Sequence, residues 1–238
     1  MEKDYGLKGN RMIQTFLGDN KILISSISGS MNLVYGDCIY ESNDYKWLYL
    51  SYEKLEKGGI LIVQTDFHTQ HKYRNLLEYV LGMNFVNHLV WKNEWGNHPK
   101  NKFHQCYDDI LVYSKGKDYK FYSDRIQVPK ATAKTKLNPS GRETKTATAW
   151  IDDITLTTTA LERVKKSDGH NIRWQKPQKL YDRIILPFTD KFDNILDPFM
   201  GSGSLGKWCS LNERNYFGIE MEKEVYDIAL ENISNLKV

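Results

Sequence analysis

The chain has little that would staple, anchor or export it. Its 238 residues hold three scattered cysteines, Cys38, Cys106 and Cys209. An odd, unpatterned set gives no disulfide framework, which suits a reducing cytoplasm. No zinc spacing is present either. His98, His104 and Cys106 lie close together without a matching pair elsewhere, so they read as loop residues and no metal site is expected. No apolar run approaches the length of a membrane span. The start, Met1-Glu2-Lys3-Asp4-Tyr5, lacks the apolar core of a signal peptide. Internal repeats and low-complexity tracts are absent. A net charge of +3 is too small by itself to indicate a polyanionic partner. What is left is a globular composition, 40% hydrophobic and 26% charged, long enough for one α/β core with a small insertion.

Against that background one octapeptide stands out, Asp197-Pro198-Phe199-Met200-Gly201-Ser202-Gly203-Ser204. A short apolar strand, Asn194-Ile195-Leu196, precedes it, and a helical stretch from Leu205 to Leu211 follows. Small residues at a strand-to-helix turn let the backbone approach a ligand, and the helix N-terminus adds unpaired N–H groups. The turn lacks the Lys-Ser/Thr pair of a P-loop and the third spaced glycine of a dinucleotide fingerprint. About twenty residues on, the strand Tyr216-Phe217-Gly218-Ile219 ends in Glu220, placed to accept both hydroxyls of a ribose. The spacing indicates an adenosine-bearing cofactor.

Elsewhere, apolar runs predict strands at Met12–Leu17, Met31–Tyr35, Gly59–Thr65, Asn84–Trp91 and Asp109–Ser114. Helical segments, Tyr45 to Lys57 and His71 to Leu81, alternate with them, and Gly58-Gly59 reads as the stop of the first. Strands alternating with helices argue a mostly parallel sheet covered on both faces. Lys115 to Asp168 has little apolar periodicity. Within it, from Lys115 to Lys145, nine Lys or Arg face three acids, the electrostatic footprint of phosphate contact.

Asp-Pro-Phe-x-Gly-Ser-Gly-Ser resembles the cofactor motif of the DNA amino-methyltransferases, which use S-adenosylmethionine. The order of parts is similar to their beta class: a catalytic half (1–114), a target-recognition insert (115–168) and a cofactor half (169–238). The resemblance implies a Rossmann-like methyltransferase sheet of seven mostly parallel strands, circularly permuted so that the last two strands are the sheet's first two. Thr15-Phe16-Leu17-Gly18-Asp19-Asn20 matches the strand whose acid contacts the cofactor adenine. Trp174-Gln175-Lys176-Pro177 matches the segment beginning the helix under its methionine end, and Tyr226-Asp227-Ile228-Ala229 matches the helix after Glu220. The implied cofactor-binding residues are Asp19, Lys176, Asp197, Phe199, Gly201, Ser202, Gly203, Ser204 and Glu220.

The family's catalytic motif is Asp-Pro-Pro-Tyr, and here Asp37-Cys38-Ile39-Tyr40 takes its place with both prolines missing. An exocyclic base amine is a poor nucleophile, so the enzyme must align it and accept its N–H bonds as charge develops. The Asp37 carboxylate accepts one, the backbone carbonyl of Cys38 accepts the other, and Tyr40 stacks on the extruded base. Losing the prolines removes rigidity, not acceptors. Lys130, Lys134, Lys136, Arg142 and Lys145 are the candidate DNA phosphate contacts. The resemblance implies adenine N6 as the target, with cytosine N4 and a catalytically degenerate DNA-binding relative as alternatives. DNA is the implied partner, and a homodimer and a companion restriction endonuclease are both compatible with it.

Overall fold

The computed structural model describes residues 2–4, 11–37, 44–93, 98–135, 137, 140–155, 162–166, 168–172 and 175–235. Its strands are β1 (Glu2–Asp4), β2 (Ile13–Leu17), β3 (Met31–Asp37), β4 (Leu55–Thr65), β5 (Asn84–Lys92), β6 (Tyr107–Ser114), β7 (Gln127–Pro129), β8 (Thr144–Thr146), β9 (Trp150–Ile151), β10 (Asn194–Asp197) and β11 (Asn215–Glu220). The helices are α1 (Asn20–Ser26), α2 (Lys46–Lys54), α3 (Gln70–Asn75), α4 (Gln178–Ile184), α5 (Ser204–Leu211) and α6 (Lys223–Ser234). All strands but β7 and β8 form one sheet in the order β1-β2-β11-β10-β3-β4-β6-β5-β9.

Side-chain alternation along the strands builds two cores, one on each face of the sheet. Ile60 and Ile62 of β4 enter the first core, Leu61 and Val63 the second; Leu33 and Val34, Ile110 and Leu111, Ile195 and Leu196 divide the same way. Strands buried on both faces read as continuous apolar runs, which is why they were visible in the sequence. Helices α4, α5 and α6 cover the first face through Tyr181, Trp208 and Leu230. Helices α1, α2 and α3 cover the second through Ile24, Leu48 and Tyr73. The result is a three-layer α/β/α arrangement.

Counted from β10 as strand one, the seven central strands run 3-2-1-4-5-7-6 across the sheet, and only β6 is reversed among them. The expected permuted, mostly parallel sheet is therefore present. Antiparallel β1 and parallel β9 extend its two edges.

One local expectation is overturned. Gly58-Gly59 does not stop a helix: α2 ends at Lys54, and the glycine pair lies inside β4. Gly58 has φ +81°, its N–H donates to the Lys115 carbonyl, and a Cβ there would sit 2.2 Å from the Asp118 carbonyl oxygen. The glycine serves the close approach of the 115–118 turn rather than a helix end.

The basic stretch is stitched to the body at both ends. Tyr122 and Arg125 bond Asp190 at 2.8 Å each. Past the stretch, the indole of Trp91 donates to the Ile154 carbonyl at 2.8 Å, and Ile151 and Ile154 are buried in the first core. Between these anchors β7 and β8 form an antiparallel ribbon.

Candidate active site

Parallel strands deliver their carboxyl ends to one rim, so residues far apart in sequence meet there. Asp197 ends β10, Glu220 ends β11, Asp37 ends β3, and Gly18-Asp19 follow β2. The crossover helices change faces between β10 and β3, since α5 packs on the first face and α2 on the second. A crevice opens at such a switch point. A cavity of about 1180 Å³ occupies it, and Asp19, Asp37, Lys176, Asp197 and Glu220 all line it.

The cofactor loop forms much of one wall. Phe199, Gly201, Ser202 and Ser204 face the cavity, and Phe199 packs edge-on against Trp47 with ring centroids 5.1 Å apart. Gly203 sits behind them as the N-cap of α5, with φ +72°. A Cβ there would lie 2.8 Å from the Ala229 carbonyl oxygen, so the loop's seat on α6 requires glycine. Ser204 is fixed from behind by the Tyr181 hydroxyl at 2.8 Å, and Asn232 donates to the Ser202 carbonyl at 2.8 Å.

Glu220 is partly committed. Its Oε2 accepts the Gly201 N–H at 3.0 Å, and its Oε1 accepts those of Met221 and Glu222 at 2.9 Å each. A carboxylate offers about four acceptor positions, so roughly one, on Oε2, is left. A ribose hydroxyl has a place there; a second requires one backbone bond to yield, a restriction that the expectation of two freely accepted hydroxyls lacked. Asp19 caps α1 through its Oδ1, which accepts the Lys21 N–H at 2.9 Å.

Two carboxylates, Asp197 buried and Asp37 half-buried, dominate the floor. Asp197, 2% exposed, accepts the Tyr216 hydroxyl at 2.9 Å and the Phe199 N–H at 3.2 Å. Burial nevertheless pushes its pKa up to about 7, and the nearby Asp37 and Glu220 charges add to the rise. Burial raises the Asp37 pKa as well, opposed by the Lys176 ammonium, whose Nζ is 2.6 Å from Asp37 Oδ2. Lys176 thus reaches the Asp37 end of the cavity as well as lining it, and among the described residues Asp37 Oδ1 is left for an incoming donor.

Cys38, Ile39 and Tyr40 lie outside the described residues, as does Lys136. Lys130, Lys134, Arg142 and Lys145 sit on or beside the β7–β8 ribbon, and none lines the cavity. The latter three are exposed, whereas Lys130 is half-buried and its Nζ donates to the Ser140 hydroxyl at 3.2 Å. Among the described residues no group of His, Cys, Asp and Glu could hold a metal, and no helix is long and apolar enough to cross a membrane.

Several lining residues had not been singled out from sequence. Asp108 at the start of β6 and Asn93 just after β5 face Lys176 and bond each other at 2.7 Å. The adjacent acids Asp108-Asp109, entering a buried strand, were a usable signal. Arg163, Lys166, His170 and Ile172 line the opposite wall from a hairpin-like segment closed by a Lys165–Asn171 bridge, and Lys166 pairs with Glu222 at 3.2 Å. Nothing in their spacing announces this, because the wall is made by a non-periodic segment.

A family model described as DNA methylase (N6_N4_Mtase) matches residues 39–231. The chain is 28% identical over 198 residues to the Type II methyltransferase M.HpaI of Haemophilus parainfluenzae, covering 82% of this chain and 60% of that protein. It is 30% identical over 156 residues to the Type II methyltransferase M.BglII of Bacillus subtilis, covering 65% and 43%. The chain therefore spans about half the length of these curated relatives. Among solved structures, the M1.HpyAVI–SAM complex superposes with a TM-score of 0.67 at 21% identity, covering 92% of this chain and 99% of that one. The cytosine-N4-specific PvuII DNA methyltransferase gives 0.68 at 15% identity, covering 95% and 88%. At these identities the structural likeness is one of fold.

Proposed function

Because this chain belongs to the N6/N4 DNA methylase family, we propose that it transfers a methyl group from S-adenosylmethionine to an exocyclic base amine in DNA, with adenine N6 as the target. One observation carries the reading. Asp37, which we take as the counterpart of the family's catalytic acid, lines the same cavity as residues of the Asp197–Ser204 loop and Glu220. The donor set fits the cofactor: carboxylates at Asp19, Asp37, Asp197 and Glu220 suit a cationic ligand that also carries a ribose. Glu220 would hold the ribose, Asp19 the adenine end, and Asp197 with the Gly201–Ser204 backbone the methionine end. When bound, that group supplies an electrophilic methyl on a sulfonium.

The chain's own residues supply alignment and charge. Asp37 Oδ1 accepts one N–H of the target amine, the carbonyl of Cys38 accepts the second, and the Tyr40 ring stacks on the base. Lys176 holds Asp37 Oδ2, so the carboxylate keeps its orientation while the amine is drawn onto the methyl carbon. Lys115–Asp168 is taken as the recognition insert, with the ribbon lysines and arginine on DNA phosphates.

An aspartate at the first catalytic position favours adenine within this family. Cytosine N4 is the second reading, supported by the fold shared with the cytosine-N4-specific PvuII DNA methyltransferase. Incubation with methyl-labelled cofactor and mixed DNA, followed by digestion to nucleosides, separates the readings. Labelled N6-methyladenine is expected. N4-methylcytosine would transfer the target to cytosine, and unlabelled but bound DNA would mark a non-catalytic relative.

A further inference from the structure

The catalytic end of the cavity holds more charge than an ion pair needs. Lys176 Nζ lies 2.6 Å from Asp37 Oδ2 and 3.9 Å from Asp108 Oδ2, and at 3% exposure the lysine is cut off from solvent. Asp108 is buried and clamped: Gln64 Nε2 donates to its Oδ2 at 2.7 Å and Asn93 Nδ2 to its Oδ1 at 2.7 Å. The Tyr35 hydroxyl in turn donates to Gln64 Oε1 at 2.6 Å. Strands β3, β4 and β6, together with the segment leading into α4, thus fix one ammonium between two carboxylates. Asp37 and Lys176 alone would balance. Counted over these three side chains alone, the second carboxylate leaves an excess negative charge, and burying that charge opposes folding.

The reaction proposed above gives the excess charge a use. As the amine nitrogen bonds to the methyl carbon, the carbon–sulfur bond breaks with its electron pair going to sulfur. The nitrogen becomes cationic, and one of its N–H bonds must then break with the electron pair kept on nitrogen. If Asp37 took that proton with only Lys176 beside it, a buried ammonium would be left without an anion. With Asp108 in place, the same proton turns a cluster of net charge minus one into a neutral one.

We propose that Asp108 is a positioning residue that supplies the counter-charge for Lys176, so that Asp37 Oδ1 accepts the proton released by the methylated amine. The inference rests on the function proposed above. The Asp37 charge in turn acts on Tyr35 on its own strand, Tyr181 on α4 and Asp197 on β10, raising the pKa of each. They are common to every variant below.

The test is a pair of substitutions with opposite signs. Lys176→Met removes a cation and should raise the Asp37 titration midpoint; Asp108→Asn removes an anion and should lower it, each by about one pH unit. Carboxyl-carbon NMR of aspartate-labelled full-length protein, with Asp37 assigned through Asp37→Asn, reads the midpoints without any turnover. Single-turnover transfer at saturating cofactor and DNA should show its acidic limb moving in the same two directions. The Asp108→Asn plateau should fall about tenfold, in line with a weaker proton acceptor, while its cofactor affinity is unchanged. If Lys176→Met does not fold, Asp108→Asn decides alone. Midpoints that do not move, or that move together, overturn the proposal, as does an undiminished Asp108→Asn plateau. Opposite midpoint shifts in a wild type that methylates nothing would instead overturn the function proposed above.

Discussion

Two carboxylates reach the same cavity from adjacent strands, and they are held in opposite ways. Asp37 at the end of β3 meets a lysine ammonium at 2.6 Å, so a counter-charge stands beside it before any ligand arrives and opposes the rise that burial imposes on its pKa. Asp197 at the end of β10 has, among the described residues, a tyrosine hydroxyl and a backbone N–H, neutral donors that leave burial in control. A group whose charge is already balanced is suited to act on a neutral amine. A group whose charge is unanswered is suited to bind a cation. The division of labour proposed for the two ends of the cavity follows from these two environments.

The largest effect on the cofactor end should come from Glu220→Ala. A lost hydrogen bond to a charged group is worth about 1.5–3 kcal/mol, or roughly 10- to 150-fold in affinity. Calorimetric titration with S-adenosylmethionine checks this, and unchanged affinity in a folded variant would remove Glu220 from the site.

The Asp197 environment should appear as a pH effect confined to that end. Binding a cation beside Asp197 requires its ionised form, whose pKa in the empty protein is about 7. Affinity should therefore fall as pH drops below about 7, by roughly tenfold per unit, and level off above it. Asp197→Asn should flatten the profile. The same raised pKa works against folding of the empty protein as pH climbs from 3.8 to about 7, because the native state holds a proton that the unfolded chain has released. Thermal unfolding with and without cofactor reads both effects.

Smaller effects belong to the surface. Replacing Lys134 and Lys136 by Ala should weaken binding about equally on cognate and scrambled DNA. Each lost contact should shallow the log-affinity against log-salt slope by roughly one unit. A loss confined to cognate DNA would make these residues readers of bases. Smallest of all should be Cys38→Ala, since the proposed mechanism uses only the backbone carbonyl of that residue; a severe loss of transfer would give the thiol a role.

Much of this was legible in the sequence because it rests on local or periodic signals. The doubly buried strands announce themselves as apolar runs, and the Asp197–Ser204 turn needs glycine at 203 for a backbone reason. The circular permutation followed from the order of motifs. What stayed hidden depends on contacts across the fold. Lys176 and Asp37 are 139 residues apart and meet only because α4 begins beneath the end of β3. Asp108 was not singled out in the sequence, because its partners Gln64 and Asn93 come to it only through the fold. Gly58-Gly59 was misread because a helix stop and a close backbone approach call for the same residue, and only the position of the 115–118 turn separates them. Two residues were too few for β9 to show a period.

The most direct measurement compares wild type with Asp37→Ala, recording S-adenosylmethionine affinity and single-turnover methyl transfer to DNA on the same preparations. The two-ended account predicts equal affinity in both proteins, with transfer lost in the variant, because the Asp37 carboxylate acts on the amine in the transition state and not on the ground-state cofactor. Equal, measurable transfer by wild type and Asp37→Ala would contradict it.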